Sequence, residues 1–169
     1  MTSTHTTIDS PLGDLTLVAR DGALTGVYFP GHWYPPPAAA LGIRSESGFE
    51  RPAQQLAEYF AGSRSSFELQ TASSGDGFQL RVWKLIDQIP YGGTTTYGEL
   101  ARALGDPSLA RAVGSAVGRN PLSVIVPCHR VIGKDGALTG YAGGLERKRF
   151  LLDLEGAGGV ARAAPSRLF

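Results

Sequence analysis

The feature that most constrains this chain is a change of hydrophobic period near residue 70. Upstream, Leu15, Leu17 and Ala19 alternate, imperfectly, with Thr16, Val18 and Arg20. A period of two places successive side chains on opposite faces of a strand. Downstream, Phe78, Val82, Leu85, Ile86 and Ile89 fall at i, i+4, i+7, i+8 and i+11, and the run stops at Pro90. That is the stripe of an amphipathic helix. Between the two patterns, residues 71–77 (Thr-Ala-Ser-Ser-Gly-Asp-Gly) have linker composition. The chain therefore reads as α+β: an N-terminal α/β domain over 1–70, a linker over 71–77, a second domain over 78–156 and a flexible tail over 157–169. A chain of 169 residues can bury a core as one unit or as two small domains.

Turn signals at Ser10-Pro11-Leu12-Gly13 and Asp21-Gly22, with a third apolar run at 24–29, predict a three-stranded antiparallel sheet. Residues 30–48, with Pro35-Pro36-Pro37, read as a long surface loop whose Trp33 and Tyr34 either pack back or offer a contact site. A short helix over 52–60 ends at Gly62. In the second half, Thr96 caps a helix over 97–104 and Glu99 completes a capping box. Gly105-Asp106-Pro107 breaks that helix, and Ser108 caps the next, with Leu109, Val113, Ala116 and Val117 facing inward. Its other positions are small except for Arg111, so it can approach another helix or a nucleic acid strand closely. Residues 123–127 read as a buried strand, and 131–139 as a hairpin or wing around Lys134-Asp135-Gly136. A last helix over 145–154 turns Phe150, Leu151 and Leu154 inward, leaving Glu146, Arg147, Lys148 and Arg149 mostly to solvent.

Composition excludes several classes. There is one cysteine, hence no internal disulfide and no Cys-rich zinc site. A free thiol is easiest to keep in a reducing compartment, so a cytoplasmic location is expected. The start of the chain is polar and unlike a signal peptide, and no apolar run is long enough to span a membrane. Net charge is −4 over 1–76 and +3 over 77–157. That imbalance suits contact with phosphates, and it equally suits an ordinary solvated surface.

The chemistry concentrates in Pro127-Cys128-His129-Arg130. A cysteine of ordinary pKa, about 8.5, is mostly thiol at neutral pH, and His129 is the candidate to take its proton. Adjacent residues of a straight strand point to opposite faces, so either the chain turns at Cys128–His129 or a water bridges them. Composition alone leaves a buried structural cysteine as an equal alternative.

The octet Ile125-Val126-Pro127-Cys128-His129-Arg130-Val131-Ile132 resembles the active-site signature of the O6-alkylguanine-DNA alkyltransferases, also called methylated-DNA–protein-cysteine methyltransferases. The resemblance runs in order through Phe78-Gln79-Leu80-Arg81-Val82-Trp83-Lys84, Ile89-Pro90-Tyr91-Gly92, Thr96-Tyr97-Gly98-Glu99-Leu100-Ala101, Ala110-Arg111-Ala112-Val113-Gly114, Asn120-Pro121, Gly140-Tyr141-Ala142-Gly143-Gly144 and 151–156. It covers nearly half the chain, and the N-terminal segment matches only loosely.

The resemblance implies a winged helix-turn-helix-like catalytic, DNA-binding domain over 78–156. It implies direct, irreversible, stoichiometric transfer of an alkyl group from O6-alkylguanine, and from O4-alkylthymine, to Cys128. His129 would act as base through a water, with Glu155 orienting it. On its own, Glu155 reads as a surface acid at a helix end. Tyr141 would donate toward guanine N3. The carbonyls of Cys128 and Val131 and the backbone N–H of Ala142 would hold the base, Val117 would line the pocket, and Asn120 would hold the turn before the active-site strand. Double-stranded DNA would be bound through the minor groove with the alkylguanine flipped out. Arg111 would fill the gap and Tyr97 would press on the phosphate; Thr96 and Arg119 are further expected DNA contacts. No cofactor, metal or membrane partner is implied; a monomer is expected, with clustering along DNA left open.

Some relatives hold zinc in the N-terminal domain through cysteines and histidines, a version that one Cys with only His5 and His32 besides His129 does not allow here. Some carry serine at the position of Ala142. A non-catalytic sensor of alkylated DNA is the main alternative, and its lack of the cysteine sets it apart. A transcription regulator would need extra N-terminal segments, and a cysteine hydrolase would need an oxyanion hole that nothing here supplies.

Overall fold

The computed structural model describes residues 2–157. β1 (Ser3–Ile8), β2 (Leu15–Arg20) and β3 (Ala23–Tyr28) form the expected antiparallel meander. The β2–β3 turn holds Asp21 at φ 53° and Gly22 at φ 80°. Two successive positive φ angles match strand twist in a two-residue hairpin, and Asp-Gly tolerates them. The sheet has four strands rather than three. The predicted loop over 30–48 contains α1 (Ala38–Leu41) and β4 (Ile43–Arg44), and β4 pairs parallel with β1, giving the order β3-β2-β1-β4. Two residues of pairing leave no periodic signal to read. α2 (Glu50–Phe60) buries Leu56 and Tyr59.

α3 (Gly77–Asp87) starts at a capping box that the sequence reading passed over. The Asp76 side chain accepts from the Gln79 backbone N–H, and the Gln79 side chain accepts from the Asp76 N–H. Trp83 is buried, and its indole N–H donates to Ala116 O at 2.8 Å. β5 (Thr95–Thr96) leads into α4 (Tyr97–Ala103), with Thr96 Oγ1 accepting from the Glu99 N–H. The return half of that box differs: Glu99 Oε1 accepts from the Thr96 hydroxyl. Ser108 is not a cap. Asp106 caps a 3-10 turn over 107–109 through Ser108 N, and α5 (Ala110–Gly118) continues from it without a side-chain cap.

Two further expectations are corrected. Residues 123–127 are buried, Ile125 only partly, but form no strand. They fold as tight turns, with Ile125 N bonded to Ser123 O, Val126 N to Leu122 O and Cys128 N to Val126 O, each at 2.8 Å. A buried apolar run does not by itself distinguish strand from turn. The hairpin over 131–139 is absent too. β6 (Val131–Ile132) pairs parallel with β5, and a 3-10 turn over 134–136 closes with Gly133 N on Ala137 O. α6 (Leu145–Leu154) ends the described chain. Its fully buried positions are Lys148, Leu151 and Leu152, while Phe150 and Leu154 are only half-buried. Ala157, the first residue of the expected tail, is buried with its N–H on Leu152 O; the rest of that tail lies outside the described residues.

One hydrophobic cluster runs through both halves, from Leu15, Leu17 and Val27 through Tyr59 to Val82, Leu122 and Leu151. The free edge of β3 takes up short parallel bridges, Leu24 with Thr71 and Val27 with Leu122. Leu17→Ala should therefore destabilise by roughly 2–5 kcal/mol. Far-UV circular dichroism and Trp83 fluorescence should still report one coincident transition; separate transitions would contradict a shared core.

Candidate active site

The site is assembled where α5 ends. Asn120 follows its last turn and is buried. Its amide Nδ2 donates to Val126 O at 2.8 Å and lies 3.2 Å from Cys128 Sγ, while its Oδ1 accepts from Leu122 N. One side chain thus ties both ends of the 120–128 turn to the sulfur. The turn is strained. Val124 sits at φ 72°, a conformation that a β-branched residue rarely adopts and that costs about 1–3 kcal/mol. Pro127, at φ −81° and ψ 65°, is the centre of an inverse γ-turn. The chain then enters a 3-10 turn over Cys128–Arg130, so it does bend between Cys128 and His129.

Behind the turn lies a buried ionic network. Glu155, which caps α6, accepts from His129 Nε2 at 2.7 Å, from Arg130 Nε at 2.7 Å and Nη2 at 3.0 Å, and from the Tyr59 hydroxyl at 2.5 Å. Arg130 Nη1 also donates to Ile89 O at 2.6 Å. Burial would raise the Glu155 carboxyl, but the bonds from His129 and Arg130 outweigh it and hold its pKa at about 2. An ionised carboxylate only accepts, so His129 Nε2 carries the proton and Nδ1 carries the lone pair. That Nδ1 is buried and has no partner among the described residues. Burial keeps the imidazole neutral by lowering its pKa, against the pull of Glu155.

Cys128 is 2% exposed, yet its surroundings are not hydrocarbon alone. Burial raises its thiol pKa; the Asn120 amide, the Lys148 charge and the Tyr141 hydroxyl pull the other way. Lys148 is fully buried, contrary to the solvated position expected of it. Its Nζ donates to Val131 O at 2.6 Å and to Thr139 O at 3.2 Å, and burial lowers its pKa to about 8. Arg130 and Glu155 neutralise each other, whereas Lys148 has no carboxylate partner among the described residues, and its charge lowers the Cys128 pKa. Tyr141 is buried beside Cys128 and Ser123, its hydroxyl without a hydrogen bond of good geometry among the described residues, and burial raises its pKa well above the ordinary value. Val117, Val131 and Ala142 are buried around this centre.

Arg111 and Arg119 are exposed on α5 and its C-cap, four residues either side of exposed Ser115. Tyr97 lies over Gly114, and its hydroxyl accepts from Thr139 Oγ1 at 2.8 Å. Thr96 is half-buried at the start of α4. Trp33 and Tyr34 do pack back, onto this same region. Trp33 N donates to Ala142 O, and its ring crosses Gly140 so closely that a Cβ there would meet it at 2.7 Å. Tyr34 lies over Gly118 and under the Arg119 guanidinium, 4.1 Å away. Both rings stay 56% and 44% exposed. The structure therefore gathers Cys128, His129, Glu155, Tyr141, Asn120, Val117, Val131 and Ala142 in one buried centre, with Arg111, Arg119, Tyr97 and Thr96 on or near the α4–α5 surface.

Three residues of the network were not read from the sequence as site residues. Tyr59 lies 96 positions from Glu155, and no local pattern connects them. Arg130 stands in the octet without an assigned role. Lys148 had a signal: Lys148, Leu151, Leu152 and Glu155 fall at i, i+3, i+4 and i+7, one helix face.

A cysteine held beside a histidine and an acid, behind a helix-turn-helix surface, defines a thiol group-transfer site on a DNA-binding scaffold. The family models agree. Residues 77–157 match "6-O-methylguanine DNA methyltransferase, DNA binding domain", and residues 4–72 match "6-O-methylguanine DNA methyltransferase, ribonuclease-like domain". The methylated-DNA–protein-cysteine methyltransferase of Mycobacterium tuberculosis H37Rv is 48% identical over 159 residues, covering 89% of this chain and 91% of that protein. The constitutive enzyme of Bacillus subtilis is 41% identical over 155 residues, covering 89% and 94%. The crystal structure of M. tuberculosis OGT in complex with DNA superposes with a TM-score of 0.87 at 46% identity, covering 95% of this chain and 96% of that one. This chain belongs to the 6-O-methylguanine DNA methyltransferase family.

The network makes stability depend on pH. Because the Glu155 carboxyl is held at about 2 against an ordinary 4.5, its contribution is complete above pH 4.5 and is lost as pH falls toward 2. Glu155→Gln leaves Arg130 buried without a counter-charge and should cost roughly 3–5 kcal/mol at neutral pH. Urea denaturation between pH 7 and pH 3 should show a steeper acid loss in the native protein than in the variant; equal slopes would count against the ion pair.

Proposed function

We propose that this protein repairs alkylated DNA by moving an alkyl group from O6 of guanine, and from O4 of alkylated thymine, to Cys128. The observation that carries the reading is the unpartnered His129 Nδ1, held as a lone-pair base by Glu155 in the residue next to the only cysteine. His129 takes the thiol proton through a bridging water, and the thiolate attacks the alkyl carbon. The carbon–oxygen bond breaks, a thioether forms, and Tyr141 supplies a proton toward guanine N3 so that the base leaves neutral. The positive charge of Lys148 and the Asn120 amide favour the thiolate during the attack. The backbone carbonyls of Cys128 and Val131 accept from the exocyclic amine. Val131 O already accepts from Lys148, which leaves one lone pair for the base. The Ala142 N–H meets the guanine oxygen, and Val117 lines the pocket.

A base inside a duplex reaches Cys128 only when extruded, at a cost of about a few kcal/mol. Since the sulfur is nearly fully buried, the side chains around it also give way on entry. Double-stranded DNA is contacted through its minor groove by α5, whose exposed face carries only Arg111 and Arg119 as long side chains. Arg111 fills the space left by the base, and Tyr97, with Thr96 beside it, presses on the phosphate. A monomer suffices, without cofactor or metal, in a reducing compartment such as the cytoplasm. The thioether is not hydrolysed by any group here, so each molecule acts once.

Intact mass after mixing with an oligomer bearing O6-methylguanine should rise by one methyl on Cys128 at one-to-one stoichiometry, and Cys128→Ser should stay unmodified. Binding without any mass change would favour a sensor instead. Arg111→Ala should slow repair of duplex DNA far more than reaction with a free modified base; equal losses on both substrates would remove Arg111 from the extrusion step.

A further inference from the structure

Tyr59 belongs to α2 in the N-terminal half, outside every motif of the catalytic half. It is completely buried, and its hydroxyl donates to Glu155 Oε2, the same oxygen that receives His129 Nε2. Its ring packs edge-on against Tyr91, at 6.3 Å between centroids, and the Tyr91 hydroxyl donates to Leu154 O at 3.3 Å, one residue before Glu155. We infer that Tyr59 is a positioning residue of the alkyl-transfer relay, through which the N-terminal half fixes the orientation of Glu155 and the share of its charge available to His129. The inference rests on the function proposed above and adds a role for the N-terminal half within the chemistry itself.

The geometry carries the argument in three steps. Glu155 makes four hydrogen bonds, and Arg130 takes two of them as a fork that fixes the carboxylate plane. Tyr59 and His129 then share Oε2 with Arg130 Nη2, so each donor to that oxygen weakens the others. A phenol with a depressed pKa would ionise and repel the carboxylate. Burial and the Glu155 charge instead raise the Tyr59 pKa, so it stays a donor throughout the working range. Removing the hydroxyl therefore does two things. It frees the carboxylate, still held by the Arg130 fork, from one of its anchors, and it leaves more negative charge on Oε2 to stabilise protonated His129. The other charged or titratable groups that face this pair are Arg130, on the His129 turn; Lys148, on the same face of α6 as Glu155; Tyr91; and Tyr141, which lies beside Cys128. None of them is substituted by the change at position 59, and the coupling of Tyr59 to Tyr141 bears on a group that burial holds well above the ordinary tyrosine range, away from the acid limb.

The test is single-turnover alkyl transfer from O6-methylguanine DNA, measured against pH for the full-length native protein, Tyr59→Phe and Leu56→Ala. Leu56 is buried on the same helix and carries no polar or titratable group, so its truncation reports loss of packing and not of a hydrogen bond. Tyr59→Phe should be slowed roughly three- to tenfold, the scale of one hydrogen bond. Its acid limb should move to higher pH, because His129 becomes easier to protonate. Leu56→Ala should lower the melting temperature without moving that limb. An unmoved limb in Tyr59→Phe, with a loss only of melting temperature, would overturn the inference while leaving alkyl transfer by the native protein intact. Failure of the native protein to transfer the group would instead sink the function. If Tyr59→Phe does not fold, proton NMR of the native protein decides: a slowly exchanging Tyr59 hydroxyl with a cross-peak to the His129 ring supports the inference, and its absence refutes it.

Discussion

The rest of the site depends on one buried carboxylate. Glu155 sits at the end of α6, shielded from solvent, and is ionised only because His129, Arg130 and Tyr59 donate to it together. Burying a charge with so few partners missing is tolerable; with one removed it is not, because the desolvation cost is no longer met. The carboxylate fixes the His129 tautomer, and the tautomer decides that Nδ1 is the nitrogen left with a free lone pair. The orientation of His129 and the stability of the fold therefore rest on the same interaction.

A second constraint is the turn over 120–128. Most of its apolar residues are buried as deeply as a central strand, yet apart from the bridge of Leu122 to Val27 they pair with no strand. The backbone is satisfied by tight turns and by the Asn120 amide. Strain at Val124 is held because Asn120, Leu122 and the β3 edge lock the segment at several points. The sulfur is thereby fixed against the end of α5, with the Asn120 amide 3.2 Å away. Lys148 ties the other side, bonding the carbonyls of Val131 and of Thr139, two residues before Tyr141.

The N-terminal half is part of this arrangement. Its sheet accepts Thr71 and Leu122 at the β3 edge, its helix α2 sends Tyr59 to Glu155, and its 30–37 loop lays Trp33 and Tyr34 over Gly140 and Gly118. The loop meets the exposed end of α5, and the helix meets the buried relay behind it.

By itself the sequence determined the α+β class, the meander, the helix-turn-helix, and the cysteine with its neighbouring histidine. Each of these is written in a local period, a cap or a run of adjacent residues, and local signals survive without knowledge of packing. It misread residues 123–127 as a strand because β-branched burial looks alike in a strand and in a strained turn. It placed Lys148 and Arg147 in solvent because charge usually lies there, whereas Lys148 finds two carbonyls inside, and Arg147 reaches Leu12 O, Pro30 O and Gly143 O. Tertiary structure alone decided that Tyr59 meets Glu155, that β4 joins β1, and that the histidine lone pair faces inward. Those contacts join residues tens of positions apart, and only the folded chain sets their distance.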